Sequence, residues 1–400
     1  MDLNFKDKKA LIRVDFNVPL DSKTFTITDD TRIRAALPTI KKILKDGGAA
    51  IVMSHLGRPL KKVKEDGSID VEKFTLNHVV AHVAKLLDTK VHFCPNTIGE
   101  EAEKMAKQLP MGEVLIIENT RFNKGEKKGD EAFAKQLAKL GDVYVNDAFG
   151  TAHRAHASTT TVAKYFKKEE KSFGYLMEAE IKNANKVLNN PDRPLTAIIG
   201  GAKVSDKMLL LEKLIDFADN VIVGGGMAYT FMKAQGGSIG NSLVEDDRLE
   251  LANQLIAKAK ERGVQLLLPE DSVIADNFSN DASIETEDSK GISPGWMGLD
   301  IGEKAIADFS TVIDNSKTIL WNGPMGVFEM SNFANGTKSI ATAVATATQK
   351  GAFSLVGGGD SVAAVTQMEL NDDVSYVSTG GGAMLEFLEG KELPAIAAMA

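Results

Sequence analysis

Short apolar runs alternate with longer amphipathic stretches along all 400 residues. Ala10–Phe16, Ala49–Met53, Val91–Phe93, Val114–Glu118 and Val143–Val145 are rich in β-branched residues. Each gives way to polar, Gly or Asn/Asp positions, the pattern of a strand leading into a turn. Between them, Thr31–Lys45, Leu76–Leu87, Glu100–Leu109 and Asp130–Leu140 carry helical patterns. The rhythm resumes in the second half. Strands are predicted at Leu195–Ile199, Asn220–Val223, Gln265–Leu268, Thr318–Trp321, Phe353–Val356 and Val374–Ser378. Helices are predicted at Lys207–Phe217, Asp246–Arg262, Ile301–Asn315, Gly336–Thr348 and Ser361–Met368. Such alternation predicts an α/β fold with two doubly wound parallel sheets. Length agrees, since single cores stop growing near about 250–300 residues. The polar, amphipathic stretch Phe173–Leu188, closed by Asn189-Asn190-Pro191, is the expected connector, and charged Leu60–Asp70 is an expected surface loop.

The composition, 43% hydrophobic and 26% charged, excludes a largely disordered or collagen-like chain. No apolar stretch approaches the roughly 18 residues of a membrane span. The polar start Met1–Asp7 argues against a secretory signal. Cys94 is the single cysteine, which excludes an intramolecular disulfide, a CxxC pair and a multi-cysteine zinc site. A cytoplasmic setting is expected.

The net charge of −8 is unevenly distributed. Residues 1–171 carry 30 basic and 24 acidic side chains, whereas 172–400 carry 17 and 31. The halves therefore stand at +6 and −14. Arg13, Arg32, Arg34, Arg58, Arg121 and Arg154 account for six of the nine arginines. This is either an anion site in the first half or scattered surface charge. No basic run with interleaved aromatics points to nucleic acid.

Glycines follow strand after strand in the second half: Gly200-Gly201, Gly224–Gly226, Gly323, Gly357–Gly359 and Gly380–Gly382. In open α/β sheets ligands bind at the carboxyl ends of strands, where helix N-termini offer free N–H groups to phosphate. The motifs GxxxxGK[ST] and GxGxxG are absent, as are HRD, DFG and HExxH. A P-loop enzyme and a protein kinase are excluded, and a nicotinamide-dependent dehydrogenase is disfavoured. Lys203 and Lys207, four apart at a predicted helix start, either share a face toward a phosphate or are two exposed lysines. Asp360 suits either a Mg²⁺ ion held with nucleotide phosphates or a helix N-cap. Glu329 is either a ribose contact or a surface acid. In the first half, Arg and His occupy strand ends and turns, and arginine's planar fork suits phosphate and carboxylate. His55 and His156, beside Arg in Gly-bearing turns, are expected to touch ligand. His78, His82 and His92 are read as filler.

At these residues the chain resembles phosphoglycerate kinases. The matching segments are RVDFNVP (13–19), TRI around Arg32, SHLGRP (54–59), ENTRF around Arg121 and NDAFGTAHRAHAS (146–158). They continue with GGAKVSDK (200–207), GGGMAYTF (224–231), WMGLDIG (296–302), WNGPMGVFE (321–329), GGGDS (357–361) and STGGGA (378–383). The resemblance runs nearly end to end. It implies two Rossmann-like domains facing across a cleft: 1–172 for 3-phosphoglycerate, with 386–400 returning to it, and 191–385 for nucleotide, joined by a hinge helix at 173–190. It implies Mg-dependent, reversible phosphoryl transfer from 1,3-bisphosphoglycerate to ADP by a monomer, with no nucleic acid or membrane partner.

Carried over by motif, Asp15, Phe16, Asn17, Arg32, His55, Leu56, Gly57, Arg58, Arg121, Arg154 and His156 would line the phosphoglycerate site. Gly201, Ala202, Lys203, Lys207, Gly226, Gly298, Asn322, Pro324, Glu329, Gly358, Gly359, Asp360 and Ser361 would hold the nucleotide, with Asp360 on Mg²⁺. Arg32, Lys203 and the amides of Gly358 and Gly381 would stabilise the transferring group. Ser361 stands where threonine is usual but keeps the hydroxyl. Thr120 replaces a more usual apolar residue.

Overall fold

The computed structural model describes Met1 and Leu3–Ala400. The chain divides into two compact units, Met1–Lys182 with Glu392–Ala400, and Asn183–Lys391.

The first unit is built on six strands, β1 (Lys9–Val14), β2 (Ala49–Met53), β3 (Val91–Cys94), β4 (Val114–Ile117), β5 (Val143–Asp147) and β6 (Lys171–Phe173). They pair in the order β3-β4-β2-β1-β5-β6, every pair parallel. β2, β4 and β5 are buried at every residue, which is what a near-continuous apolar run dictates for a sheet covered on both faces. Side chains alternate between two cores. Ala10, Ile12 and Val14 meet Ile33, Ile40 and Val79 on one face, while Leu11 meets Ile51, Phe133 and Leu137 on the other. The C-terminal residues belong to this second core. Met399 joins it, Ala395 N donates to Ala152 O at 3.1 Å, and Lys171 Nζ donates to Ala398 O at 2.8 Å.

The second unit holds β7 (Leu195–Ile199), β8 (Asn220–Val223), β9 (Ser238–Ile239), β10 (Gln265–Leu267), β11 (Asp271–Ala275), β12 (Ile284–Asp288), β13 (Gly291–Ile292), β14 (Met297–Ile301), β15 (Thr318–Asn322), β16 (Phe353–Val356) and β17 (Tyr376–Val377). Its main sheet runs β10-β8-β7-β15-β16-β17, again all parallel. Both expected doubly wound sheets are therefore present. An antiparallel sheet, β12-β11-β14, and the pair β13-β9 are additions.

Several expected boundaries move. Phe173 ends β6 rather than opening a helix, because Lys171–Phe173 pairs with Tyr144–Asn146; the helix runs Tyr175–Leu188. Ile301 closes β14, so its helix is Glu303–Asp314. Asp246–Arg248 is a 3₁₀ turn before the Leu249–Arg262 helix. Helices Met227–Ala234, which follows a glycine triplet, and Gly382–Leu388, which opens on the last glycine of one, are additions to the expected helices.

Candidate active site

Because each main sheet is parallel, the turns after its strands share one rim. In the first unit β1 lies between β2 and β5, where the winding direction reverses. The turns after β1, β2, β4 and β5 carry Asp15–Asn17, Ser54–Arg58, Asn119–Arg121 and the 148–158 segment. Hydrogen bonds knit them together. Asn17 Oδ1 accepts from Gly57 N at 2.7 Å, and Arg121 Nη1 donates to Gly57 O at 2.7 Å. Arg32, from the helix after β1, donates from Nη1 to Asn17 O at 3.0 Å and lies 3.3 Å from Asp15 Oδ2. Arg58 and Arg154 are exposed on the same rim. Phe16 and Leu56 are core side chains, 0% and 4% exposed, so only their main chain is left to meet a ligand.

These cations feel one another. Burial, then Arg13, lowers Arg121 to about 10. Lys127 is lowered by burial and by Arg121, Lys61, Arg58 and Arg154. Burial and the arginines, Arg121 first, hold His156 down to about 3. His55 is held well below the ordinary histidine range by burial, then Arg13, Arg121 and Arg32. Both rings are thus neutral at pH 7. An anion seated here relieves the mutual repulsion.

In the second unit the winding reverses between β7 and β15, and there the main chains nearly touch. A Cβ on Gly200 would fall 1.9 Å from Pro324 O, and one on Gly323, at φ +113°, would fall 2.0 Å from Gly200 O. Only glycine fits. Two cavities adjoin this point. One, of about 240 Å³, is lined by Gly200–Lys203, Asp206, Lys207, Asn322, Gly323 and Gly358–Asp360, polar groups and main-chain turns. The other, of about 450 Å³, is mostly apolar, with Gly226, Tyr229, Phe278, Met297, Gly298, Pro324 and Glu329 in its wall. They share Gly201, Ala202 and Asp360. A phosphate chain suits the first, and a base with its sugar the second.

Lys203 and Lys207 line the same cavity, but not as one helix face. The helix begins at Met208, Lys207 is its N-cap residue, and a turn brings Lys203 alongside. Lys207 Nζ donates to Asn322 Oδ1, and burial lowers its pKa. Asp360 is exposed in the first turn of the Gly359–Gln367 helix, whose N-cap is Gly358, so capping is not its role. Ser361 is wholly buried, and its Oγ accepts from Gly323 N at 2.5 Å, which leaves its proton free to donate to another partner. Gly381 precedes the Gly382–Leu388 helix and lines neither cavity. Arg13, Lys127, Tyr229 and Phe278 were not among the expected site residues. Only Arg13 carried a signal, as an arginine inside the apolar strand Ala-Leu-Ile-Arg-Val.

The phosphoglycerate kinase family model matches residues 1–391. A phosphoglycerate kinase of Porphyromonas gingivalis is 51% identical, the match covering 99% of this chain and 98% of that relative. One from Chloroherpeton thalassium is 52% identical over 100% and 98%. The solved structure of phosphoglycerate kinase from Coxiella burnetii superposes with a TM-score of 0.88 at 42% identity, covering 100% of this chain and 97% of that one. The Pyrococcus horikoshii enzyme gives 0.81 at 30%, with the same coverage.

Proposed function

The chain belongs to the phosphoglycerate kinase family, and from that premise we propose how its residues divide the work. The enzyme transfers a phosphoryl group reversibly between 1,3-bisphosphoglycerate and ADP, giving 3-phosphoglycerate and ATP, a step of glycolysis. The observation that carries the assignment of roles is the contrast of the two rims: cationic side chains on the first, glycine turns and a two-part cavity on the second.

Arg58, Arg121, Arg154 and the neutral His55 and His156 hold the phosphoglycerate; Asp15 and Asn17 set the loop that Arg32 reaches. Arg32 and Lys203 stabilise the transferring group. The acceptor is an ionised carboxylate or phosphate, so the reaction needs positioning and charge stabilisation rather than a general base. The larger cavity takes base and ribose, with Glu329 at the sugar, and Lys207 and the Gly357–Gly359 turn take phosphates. Among the described residues no cluster of three His, Cys, Asp or Glu offers a metal cage. A magnesium ion held by one carboxylate plus nucleotide phosphates fits this donor set, with Asp360 as the carboxylate. When bound, Mg²⁺ neutralises phosphate charge.

The enzyme works as a cytoplasmic monomer, with neither nucleic acid nor membrane as a partner. Its acidic net charge supports the first exclusion. No helix among the described residues is long and apolar enough to cross a membrane. Each rim holds one substrate, so reaction requires the two units to close, with the Tyr175–Leu188 helix as hinge and water excluded from the acyl phosphate. A coupled assay with 3-phosphoglycerate and MgATP reads the activity. Solution scattering reads closure: the radius of gyration falls only with both substrates, and an unchanged radius refutes the hinge.

A further inference from the structure

Arg13 is wholly buried in β1, yet it forms no direct ion pair among the described residues. A buried guanidinium without compensation is costly. Its Nε donates to Ser158 Oγ at 2.8 Å, and Nη1 donates to Val14 O. Ser158 has one hydroxyl proton, which goes to Glu126 Oε1 at 2.6 Å, so Ser158 Oγ is left to accept from Arg13. Glu126 is also wholly buried. Its carboxylate accepts Ser158 N at 3.0 Å and Thr120 Oγ1 at 3.2 Å. Tyr144 OH pins the Ser158 carbonyl at 3.0 Å. The charge of Arg13 is therefore matched one hydroxyl away.

The far end of Arg13 sets His55. Nη2 stands 3.3 Å from His55 Nδ1. A guanidinium has hydrogens and no lone pair, so Nδ1 must accept, and a neutral ring then carries its proton on Nε2. The other candidate for Nδ1, Asp15 Oδ1, is 3.9 Å away, beyond a hydrogen bond, and that carboxylate already meets Arg32 and Asn17 N. Burial and the surrounding cations Arg13, Arg121 and Arg32 keep the ring uncharged.

We propose that Glu126, Ser158 and Arg13 form a buried relay that locks His55 as the Nε2–H tautomer, so that it offers phosphoglycerate an uncharged N–H donor. Glu126, Ser158 and Arg13 are positioning residues, and the proposal rests on the assignment of His55 to the phosphoglycerate site. The alternative Nδ1–H ring would turn a lone pair on Nε2 toward an anionic oxygen.

Nitrogen-15 NMR of the full chain labelled at its six histidines tests this, with His55 assigned by its loss in His55→Asn. The expected wild-type spectrum has one His55 tautomer with the proton on Nε2. In Ser158→Ala the His55 signals move to mixed-tautomer positions. KM for 3-phosphoglycerate then rises roughly tenfold, the size of a hydrogen bond to a charged partner, with KM for MgATP unchanged. Should Ser158→Ala not fold, Glu126→Gln carries the same test with its volume kept. A folded variant whose His55 remains a single Nε2–H tautomer overturns the relay, as does an Nδ1–H wild type. Adding 3-phosphoglycerate separates the two readings. If the tautomer is as described but its Nε2 resonance ignores the ligand, the relay stands and the assignment of His55 to substrate falls.

Discussion

On the proposed assignment, the two rims solve one problem, holding phosphate, with different parts of the chain. The first unit uses side chains. Its Arg32, Arg58, Arg121 and Arg154 lie on or about turns whose main chains are fixed by Asn17, Asn119 and the buried Glu126. The second unit uses the main chain itself, with turns so closely opposed at Gly200 and Gly323 that no Cβ fits, and few charged groups beyond Lys203, Lys207 and Asp360. The difference follows from ligand size. A small, densely charged acid offers little surface, so charge must come to it on long arms. A nucleotide offers a base and ribose that fill an apolar slot, so its phosphates need only amide dipoles and two cations. It also explains why the acidic second half need not repel its ligand.

The comparison predicts opposite sensitivities. Removing a side chain should cripple the first site without unfolding it. Arg32→Ala is expected to lower kcat at least about a hundredfold, as loss of a transition-state charge donor does. Its melting temperature should stay near wild type, because Arg32 is half-exposed. A kcat near wild type breaks this half of the comparison. Adding an atom should cripple the second site. Gly200→Ala puts a methyl 1.9 Å from Pro324 O, a backbone atom that cannot swing aside. Overpacking of this kind costs about 1–3 kcal/mol. The expected result is a lower melting temperature and a raised KM for MgATP, with KM for 3-phosphoglycerate unmoved. Equal changes in both KM values would mean the glycine contact supports the whole fold rather than one site.

How far the sequence revealed this depends on the same distinction. The main sheets were legible because their strands are continuous apolar runs bounded by turn residues. The β12-β11-β14 sheet was not: Ile284-Glu-Thr-Glu-Asp288 is largely exposed and has no apolar periodicity. The glycine rim was legible because Gly after a strand is conspicuous. The four-residue spacing of Lys203 and Lys207 leaves a shared face and two separate surface lysines equally open; the turn before Met208 decides between them by placing both on one cavity. The relay beneath the arginines was invisible. Glu126 sits in Lys124-Gly-Glu-Lys-Lys128, which reads as surface, yet it is wholly buried and its partner Ser158 lies 32 residues away. Arg13 and Ser158 are 145 residues apart and meet only because β1 and β5 are neighbours in the sheet. Charge patterns along a chain carry no record of that adjacency.

The smallest expected effect concerns pH and sharpens the contrast in how each unit uses titratable groups. All six histidines precede residue 157, and both tryptophans, Trp296 and Trp321, lie in the second unit, so tryptophan fluorescence reads the second unit alone. There Asp300 is buried, accepting from Ile301 N and Gly336 N, and burial pushes its carboxyl up to about 7. Its folded pKa lies above the unfolded 3.8, so between those values the native state binds the extra proton. Stability is then gained as pH falls and lost as it rises through 7. From pH 7.5 to 5.5 the gain is about 1–2 kcal/mol. In the first unit Asp147, at the end of β5 and accepting from Leu176 N in the first turn of the Tyr175–Leu188 helix, is likewise raised to about 7 by burial and pulls the same way. His55 and His156 oppose it. Their folded values lie below the unfolded 6.5, so acidification below 6.5 protonates the unfolded chain first and costs stability. The urea midpoint followed by tryptophan fluorescence is therefore expected to rise on mild acidification. The protection of β1 amides against hydrogen exchange should stay level or fall over the same range. Asp300→Asn should abolish the rise in fluorescence midpoint and leave the β1 amides as they were. If instead the two probes climb together by the same amount, the buried histidines of the first rim are not held neutral, and the picture of a side-chain site kept uncharged at its imidazoles fails.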